Sequence, residues 1–171
     1  MAEASEQPAT PADTVALLES SQASAWAELH AGLAEAQSTW RQALAELPPQ
    51  LATELHDGDW SALDLASHAV NWLRLTSGAL ANVCVSQEAA LSDENFLPGD
   101  PDLSRVAEEQ ERWSEELRMA MTTVAKLSER GPVIASGIGA LTARQVVVIT
   151  IAHLSEHAAQ LRSMRKVENR P

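Results

Sequence analysis

The apolar residues of this 171-residue chain recur every three to four positions over four long segments. This spacing places them on one face of an α-helix, which has 3.6 residues per turn. Helix-breaking residues follow two of the segments: Pro48 and Pro49 end the first, and Gly131 and Pro132 end the third. The pattern predicts four helices, at about 13–46, 61–85, 101–130 and 142–166.

Short polar motifs mark where the predicted helices begin. Two starts have residue pairs that suit a capping box, in which each side chain accepts a hydrogen bond from the backbone of the other. The pairs are Ser61 with Asp64 and Thr142 with Gln145. Asp100 and Pro101 suit the N-cap and first position of the third helix. Residues 146–154, VVVITIAHL, would also suit a buried strand, but the caps and the length of this segment favour a helix.

Four amphipathic helices of this length predict an all-α four-helix bundle. We expect a single bundle domain over residues 12–168, preceded by a flexible polar tail over residues 1–11. The glycine-rich stretch 131–140 is predicted to be a loop. The connection at about 86–99 could extend over about 45 Å, so helices two and three are predicted to run parallel, joined by a crossover.

Composition and charge exclude several classes of function. The chain has 12 basic and 24 acidic residues and a net charge of −12, which repels a phosphate backbone, so we expect no nucleic-acid partner. No apolar stretch is long enough to span a bilayer, so we expect no membrane association. The first residues lack the features of a signal peptide, which predicts a cytoplasmic location.

Three histidines lie in apolar helical segments. His153 and His157 are four residues apart, so a helix would place both imidazoles on one face, about 6 Å apart and near enough to bind one metal ion. His68 lies among large apolar residues of the second helix, where a facing helix could bring it to the same ion. Burying such imidazoles without partners would cost about 1–3 kcal/mol each. This pattern leaves open a divalent-metal site or hydrogen-bonded core histidines.

Two stretches hold these histidines in a distinctive setting. The first, WSALDLASHAVNW at residues 60–72, opens a helix with Trp-Ser and contains one histidine. The second, HLSEHAAQLR at residues 153–162, contains an HxxxH motif followed by a glutamine. The two stretches, and the order in which they occur, resemble the DinB-like (DinB/YfiT-like) superfamily of helical-bundle metalloproteins. The long first helix, which ends at an LPP turn, agrees with this resemblance.

The resemblance extends over nearly the whole chain after the tail. It implies that His68, His153 and His157 are the three ligands of a divalent transition metal, which would be Zn, Ni or Fe. The residues that the resemblance places near the metal are Asn71, Glu156 and Gln160. It also implies a homodimer.

Branches of this superfamily include thiol S-transferases that use bacillithiol or mycothiol, mycothiol-dependent maleylpyruvate isomerase, and the iron-binding domain of the sulfoxide synthases that make ergothioneine. A thiol bound to a metal with three neutral ligands would lose its proton near neutral pH. We therefore expect a metal-dependent enzyme that transfers a small thiol to an electrophilic substrate. A non-catalytic, dimeric metal-binding module of a stress response and a metal-dependent hydrolase remain as alternatives.

Overall fold

The computed structural model of the protein describes residues 25–56, 60–85, 89–91, 102–127, 131–135 and 138–167. These residues form four long helices with short strands between them, which confirms the predicted all-α four-helix bundle. The helices are α1 (Trp26–Ala45), α2 (Ala62–Val83), α3 (Leu103–Leu127) and α4 (Ala143–Val167). The predicted tail at 1–11 and the predicted helical residues 13–24 lie outside the described residues.

Both predicted capping boxes are present. At the start of α2, the Ser61 hydroxyl accepts a hydrogen bond from the Asp64 amide at 3.1 Å, and the Asp64 carboxylate accepts one from the Ser61 amide at 3.0 Å. At the start of α4, Thr142 accepts from the Gln145 amide at 3.2 Å, and the Gln145 side-chain oxygen accepts from the Thr142 amide at 2.9 Å. These bonds satisfy amides that the first helical turn leaves without a partner.

The other two helices begin later than predicted. Ala25 has an extended backbone with ψ of 148°, so α1 starts at Trp26. Helix α3 starts at Leu103, because the Asp102 carboxylate accepts a hydrogen bond from the Arg105 amide at 2.7 Å. Asp102 therefore caps this helix, and the predicted cap and first position, Asp100 and Pro101, lie outside the described residues.

Short strands join the helices at both ends of the bundle. The strands are β1 (Leu55–His56), β2 (Trp60–Ser61), β3 (Ala89–Leu91), β4 (Val133–Ala135) and β5 (Gly139–Leu141). The predicted loop at 131–140 is wrong in part, because β4 pairs antiparallel with β5 and parallel with β3. Val133 and Leu141 are buried, so pairing satisfies backbone groups that packing removes from water. Gly139 has a φ of 104°, which glycine adopts readily.

Strands, ion pairs and side-chain contacts define the directions of the helices. Glu46 follows α1 and forms an ion pair with Arg165 near the end of α4, so these two packed helices end at the same end of the bundle. Strands β3 and β4 pair with each other, and each begins six residues after its helix, α2 or α3. His68 and Thr76 of α2 meet His157 and Thr150 of α4 in reverse order, so α2 runs antiparallel to α4. Arg41, near the end of α1, pairs with Glu111 in the first half of α3, so α3 ends with α2 at the opposite end. They are parallel, as the predicted crossover requires.

Helix α2 lies between α3 and α4. Helix α2 packs against α3 and α4, and α1 packs against the same two helices. Large side chains from all four helices are buried between them and have under 2% of their surface exposed: Leu33, Trp40, Leu73, Leu80, Leu117, Met121, Leu154 and Leu161. Burying each leucine contributes about 1.5–3 kcal/mol. The described helices include no segment with the length and hydrophobicity of a transmembrane span.

Candidate metal centre

Helices α2 and α4 bring the three predicted histidines together. His68 lies in the second turn of α2, and His153 and His157 lie on successive turns of α4. Because α2 packs against α4, the side chain of His68 reaches the other two. The ligating nitrogens of all three imidazoles lie within 4.8 Å of one another, and among the described residues this is the one such group of His, Cys, Asp or Glu.

The two histidines of α4 are already spaced as ligands of one ion. Their Nε2 atoms are 3.1 Å apart, and their ring centroids are 4.2 Å apart. Two nitrogens bound tetrahedrally to one zinc ion at 2.0–2.1 Å would be about 3.3 Å apart. The His68 ring centroid lies 5.0 Å from that of His153 and 5.2 Å from that of His157. The spacing of this donor set fits a transition-metal ion.

Gln160 determines the orientation of the His157 ring. The side-chain oxygen of Gln160 lies 2.7 Å from His157 Nδ1 and can only accept, so Nδ1–H is the donor. In the neutral ring, Nε2 then carries a lone pair directed at His153, whose Nε2–H donates to it. For both Nε2 atoms to bind one ion, the proton of His153 must lie on Nδ1 instead. Gln160 thus holds His157 in the tautomer that ligation needs.

Burial keeps the α4 imidazoles uncharged. It is the largest cause that lowers the pKa of His153 to about 3, followed by charge repulsion from His157 and His68. Burial also lowers the pKa of His157, although the hydrogen bond to Gln160 opposes this shift. Metal binding requires neutral imidazole, so at neutral pH neither ring has to give up a positive charge before an ion binds.

Two tryptophans border the histidine cluster. Trp60, on β2, meets the His68 ring edge-on with centroids 5.1 Å apart, and 38% of its surface is exposed. Trp72, one turn after His68 on α2, stacks against the His153 ring with centroids 4.8 Å apart and a tilt of 36°. His68 and His153 are themselves only half-buried. The cluster therefore lies between aromatic surfaces and is accessible from outside.

Gln160 lies where the resemblance places it, and the structure also describes the two other polar residues that the resemblance indicates. Asn71 is buried and accepts two hydrogen bonds from Arg74, at 3.2 and 3.0 Å. Glu156 is exposed, and its charge raises the pKa of the His157 imidazole. Gln160 makes a direct hydrogen bond to the cluster, at His157.

The sequence interpretation missed two residues around the cluster, Trp60 and Thr150. Trp60 precedes the α2 cap, pairs with His56 of β1, and contacts the His68 ring. Thr150 lies three residues before His153 and accepts a hydrogen bond from the Trp72 indole at 3.0 Å. A lone hydroxyl within the apolar run VVVITIAHL was the signal that could have indicated Thr150. No comparable local signal indicated Trp60.

The fold and the site together define a class of protein: a four-helix bundle with parallel second and third helices and three histidines that converge from α2 and α4. The family model of the DinB superfamily matches residues 32–161, which include all three histidines. The chain belongs to the DinB superfamily, whose members generally bind metal. Comparison with curated proteins and with solved structures gave no match.

Proposed function

We propose that the protein is a divalent-metal-dependent enzyme that activates a low-molecular-weight thiol and transfers it to an electrophile. The convergence of three imidazoles, with ligating nitrogens within 4.8 Å of one another, carries this proposal. Sites of this kind bind catalytic metals when they provide three protein ligands and leave a further position for water or substrate. The half-buried state of His68 and His153 is consistent with such a position.

His68, His153 and His157 would hold the ion, and their nitrogen donors suit Zn²⁺, Ni²⁺ or Fe²⁺. Because no ligand of this set carries a negative charge, a bound ion would keep its double charge and lower the pKa of a thiol beside it. The pKa shifts of His153 and His157 support this interpretation, since both favour the neutral rings that ligation requires.

The residues around the cluster would orient the ligands and accommodate an apolar substrate. Gln160 keeps His157 Nε2 free of a proton. Trp60 and Trp72 offer flat apolar surfaces on two sides, which suit the apolar part of an electrophile. In the transfer, a lone pair of the thiol sulfur forms a bond to the electrophilic carbon. The leaving group departs with the electron pair of its own bond, and the thiol proton passes to water.

The alternatives would use the same histidines differently. A hydrolase would need no thiol, whereas a non-catalytic stress-response module would bind metal without catalysing a reaction.

We also propose that the protein is a homodimer, as the superfamily resemblance implies. Val85 and Leu127, near the ends of parallel α2 and α3, are 76% and 61% exposed, which supports an apolar contact at that end. Light scattering on the purified protein would measure its mass.

The metal is tested first. Elemental analysis of protein purified without a histidine tag should find about one transition-metal ion per chain. The His68→Ala variant should lose it, and the matched control His30→Ala should retain it, because His30 lies on α1 and is not part of the cluster. Absence of stoichiometric metal from the wild-type protein, together with failure to bind added Zn²⁺, Ni²⁺ or Fe²⁺, would refute the metal centre.

The reaction is tested second, on metal-loaded protein. A panel of small thiols is incubated with a chromogenic electrophile, and the rate is compared with those of chelator-treated protein and of His153→Ala. We expect a rate that depends on protein, metal and thiol together. Hydrolysis of an activated ester without any thiol would favour the hydrolase. Stoichiometric metal with no rate above background on either substrate type would favour the non-catalytic protein and refute the transferase.

A further inference from the structure

A chain of hydrogen bonds holds the Trp72 indole in place between α2 and α4. Trp72 Nε1–H donates to the Thr150 hydroxyl at 3.0 Å. The Thr76 hydroxyl lies 3.3 Å from the same oxygen, and both threonines are fully buried. Thr150 in turn donates to the Val146 carbonyl oxygen at 2.9 Å. Two buried side chains from facing helices thus meet at one oxygen atom.

The direction of each bond follows from the single proton of a hydroxyl group. Thr150 uses its proton on the Val146 carbonyl, so its oxygen can only accept from the other two groups. Thr76 is then the donor in the contact between the threonines, and Trp72 donates its only N–H. Losing the Thr150 oxygen would leave the partly buried Trp72 N–H without this acceptor, which costs free energy.

The two histidines of α4 differ in how their rings are held. A metal-binding histidine usually donates its other ring N–H to an oxygen, which fixes the ring. His157 does so with Gln160 at 2.7 Å. Among the described residues, the hydrogen bond of His153 is the one to His157, through the Nε2 atom that would bind the ion. What touches the His153 ring on its face is the Trp72 indole, with centroids 4.8 Å apart.

We propose that Trp72, anchored by Thr150 and Thr76, is the positioning residue for His153. The stacked indole fixes the plane of the His153 ring, and so the direction of Nε2, as Gln160 does for His157 by a hydrogen bond. Thr150 and Thr76 act through Trp72, since their hydroxyls fix the indole and not the imidazole. This inference rests on the proposed metal centre and assigns a role to side chains that are not ligands.

The test measures Co²⁺ binding to chelator-treated protein by its visible absorption, whose intensity and position report coordination geometry. The variants are Thr150→Val, which removes the acceptor but keeps the shape, and Thr150→Ser, which restores it. We expect about tenfold weaker Co²⁺ binding and an altered spectrum for Thr150→Val, with recovery in Thr150→Ser. Thr123→Val is the matched control, because Thr123 makes the same bond to its own helix at 2.9 Å, far from the site in sequence.

The positioning role would be overturned if Thr150→Val bound Co²⁺ as tightly as the wild type does. It would also be overturned if Thr150→Ser or Thr123→Val weakened Co²⁺ binding as much as Thr150→Val does. If Thr150→Val does not fold, Trp72→Phe and Trp72→Leu replace it. Phe keeps a ring against His153 and should bind Co²⁺ more tightly than Leu, whereas equal affinity would overturn the proposal. Failure of the wild-type protein to bind Co²⁺ would instead refute the metal centre itself, so the two failures are distinguishable.

Discussion

Acid should destabilise the metal-free protein through His153 in particular. The folded protein lowers the pKa of this imidazole to about 3, from 6.5 in the unfolded chain. Between these values the unfolded chain binds a proton that the folded chain does not, so the free energy of unfolding decreases as the pH falls. Above pH 6.5 both states are neutral, and His153 contributes no pH dependence. The loss therefore begins near pH 6.5 and continues towards pH 3.

The size of the effect follows from the same pKa values. Each pH unit between them changes the free energy of unfolding by about 1.4 kcal/mol, so at pH 5 the loss due to His153 is about 2 kcal/mol. The lowered pKa of His157 acts in the same direction. Carboxylates also titrate in this range, so the contribution of His153 has to be obtained from a difference between two proteins.

The measurement is urea unfolding of chelator-treated protein at pH 7.5 and pH 5, followed by tryptophan fluorescence. The His153→Gln variant has a polar side chain of similar size that does not bind a proton in this range. The wild type should lose about 2 kcal/mol more than His153→Gln between the two pH values. Equal losses in the two proteins would show that His153 is not held neutral by its surroundings and would refute the reasoning.

Three further predictions concern the cap, the metal and Gln160. Ser61→Ala should lower the free energy of unfolding by about 1 kcal/mol, measured in urea, whereas the exposed Ser155→Ala should not. A metal at 100 times its dissociation constant should stabilise the wild type by about 2.7 kcal/mol, seen as a higher Tm, but not His153→Ala. Gln160→Leu should weaken metal binding about tenfold or more, because it removes the acceptor for His157 Nδ1–H, whereas Gln160→Glu keeps an acceptor and should not. Equal metal affinities of the two variants in a metal titration would contradict this.

The features predicted correctly from sequence are those that depend on neighbours along the chain. The capping boxes at Ser61 and Thr142 join residues three positions apart, and the spacing of His153 and His157 is one helical turn. The errors arose where local choices were nearly equal. Helix α3 begins at Leu103 and not at about 101, and Asp100 and Asp102 are both residues that suit an N-cap. The hairpin of β4 and β5 depends on β3, more than 40 residues earlier.

The sequence by itself determined four helices, where two of them start, and a pair of imidazoles on one face of the fourth, because each depends on backbone periodicity and on contacts within a turn. Only the tertiary structure decided that α2 packs against α4, so that His68 completes the cluster. It also decided that Trp72 meets Thr150 across 78 residues of sequence. Those contacts depend on how four apolar faces pack together, and no local pattern specifies that arrangement.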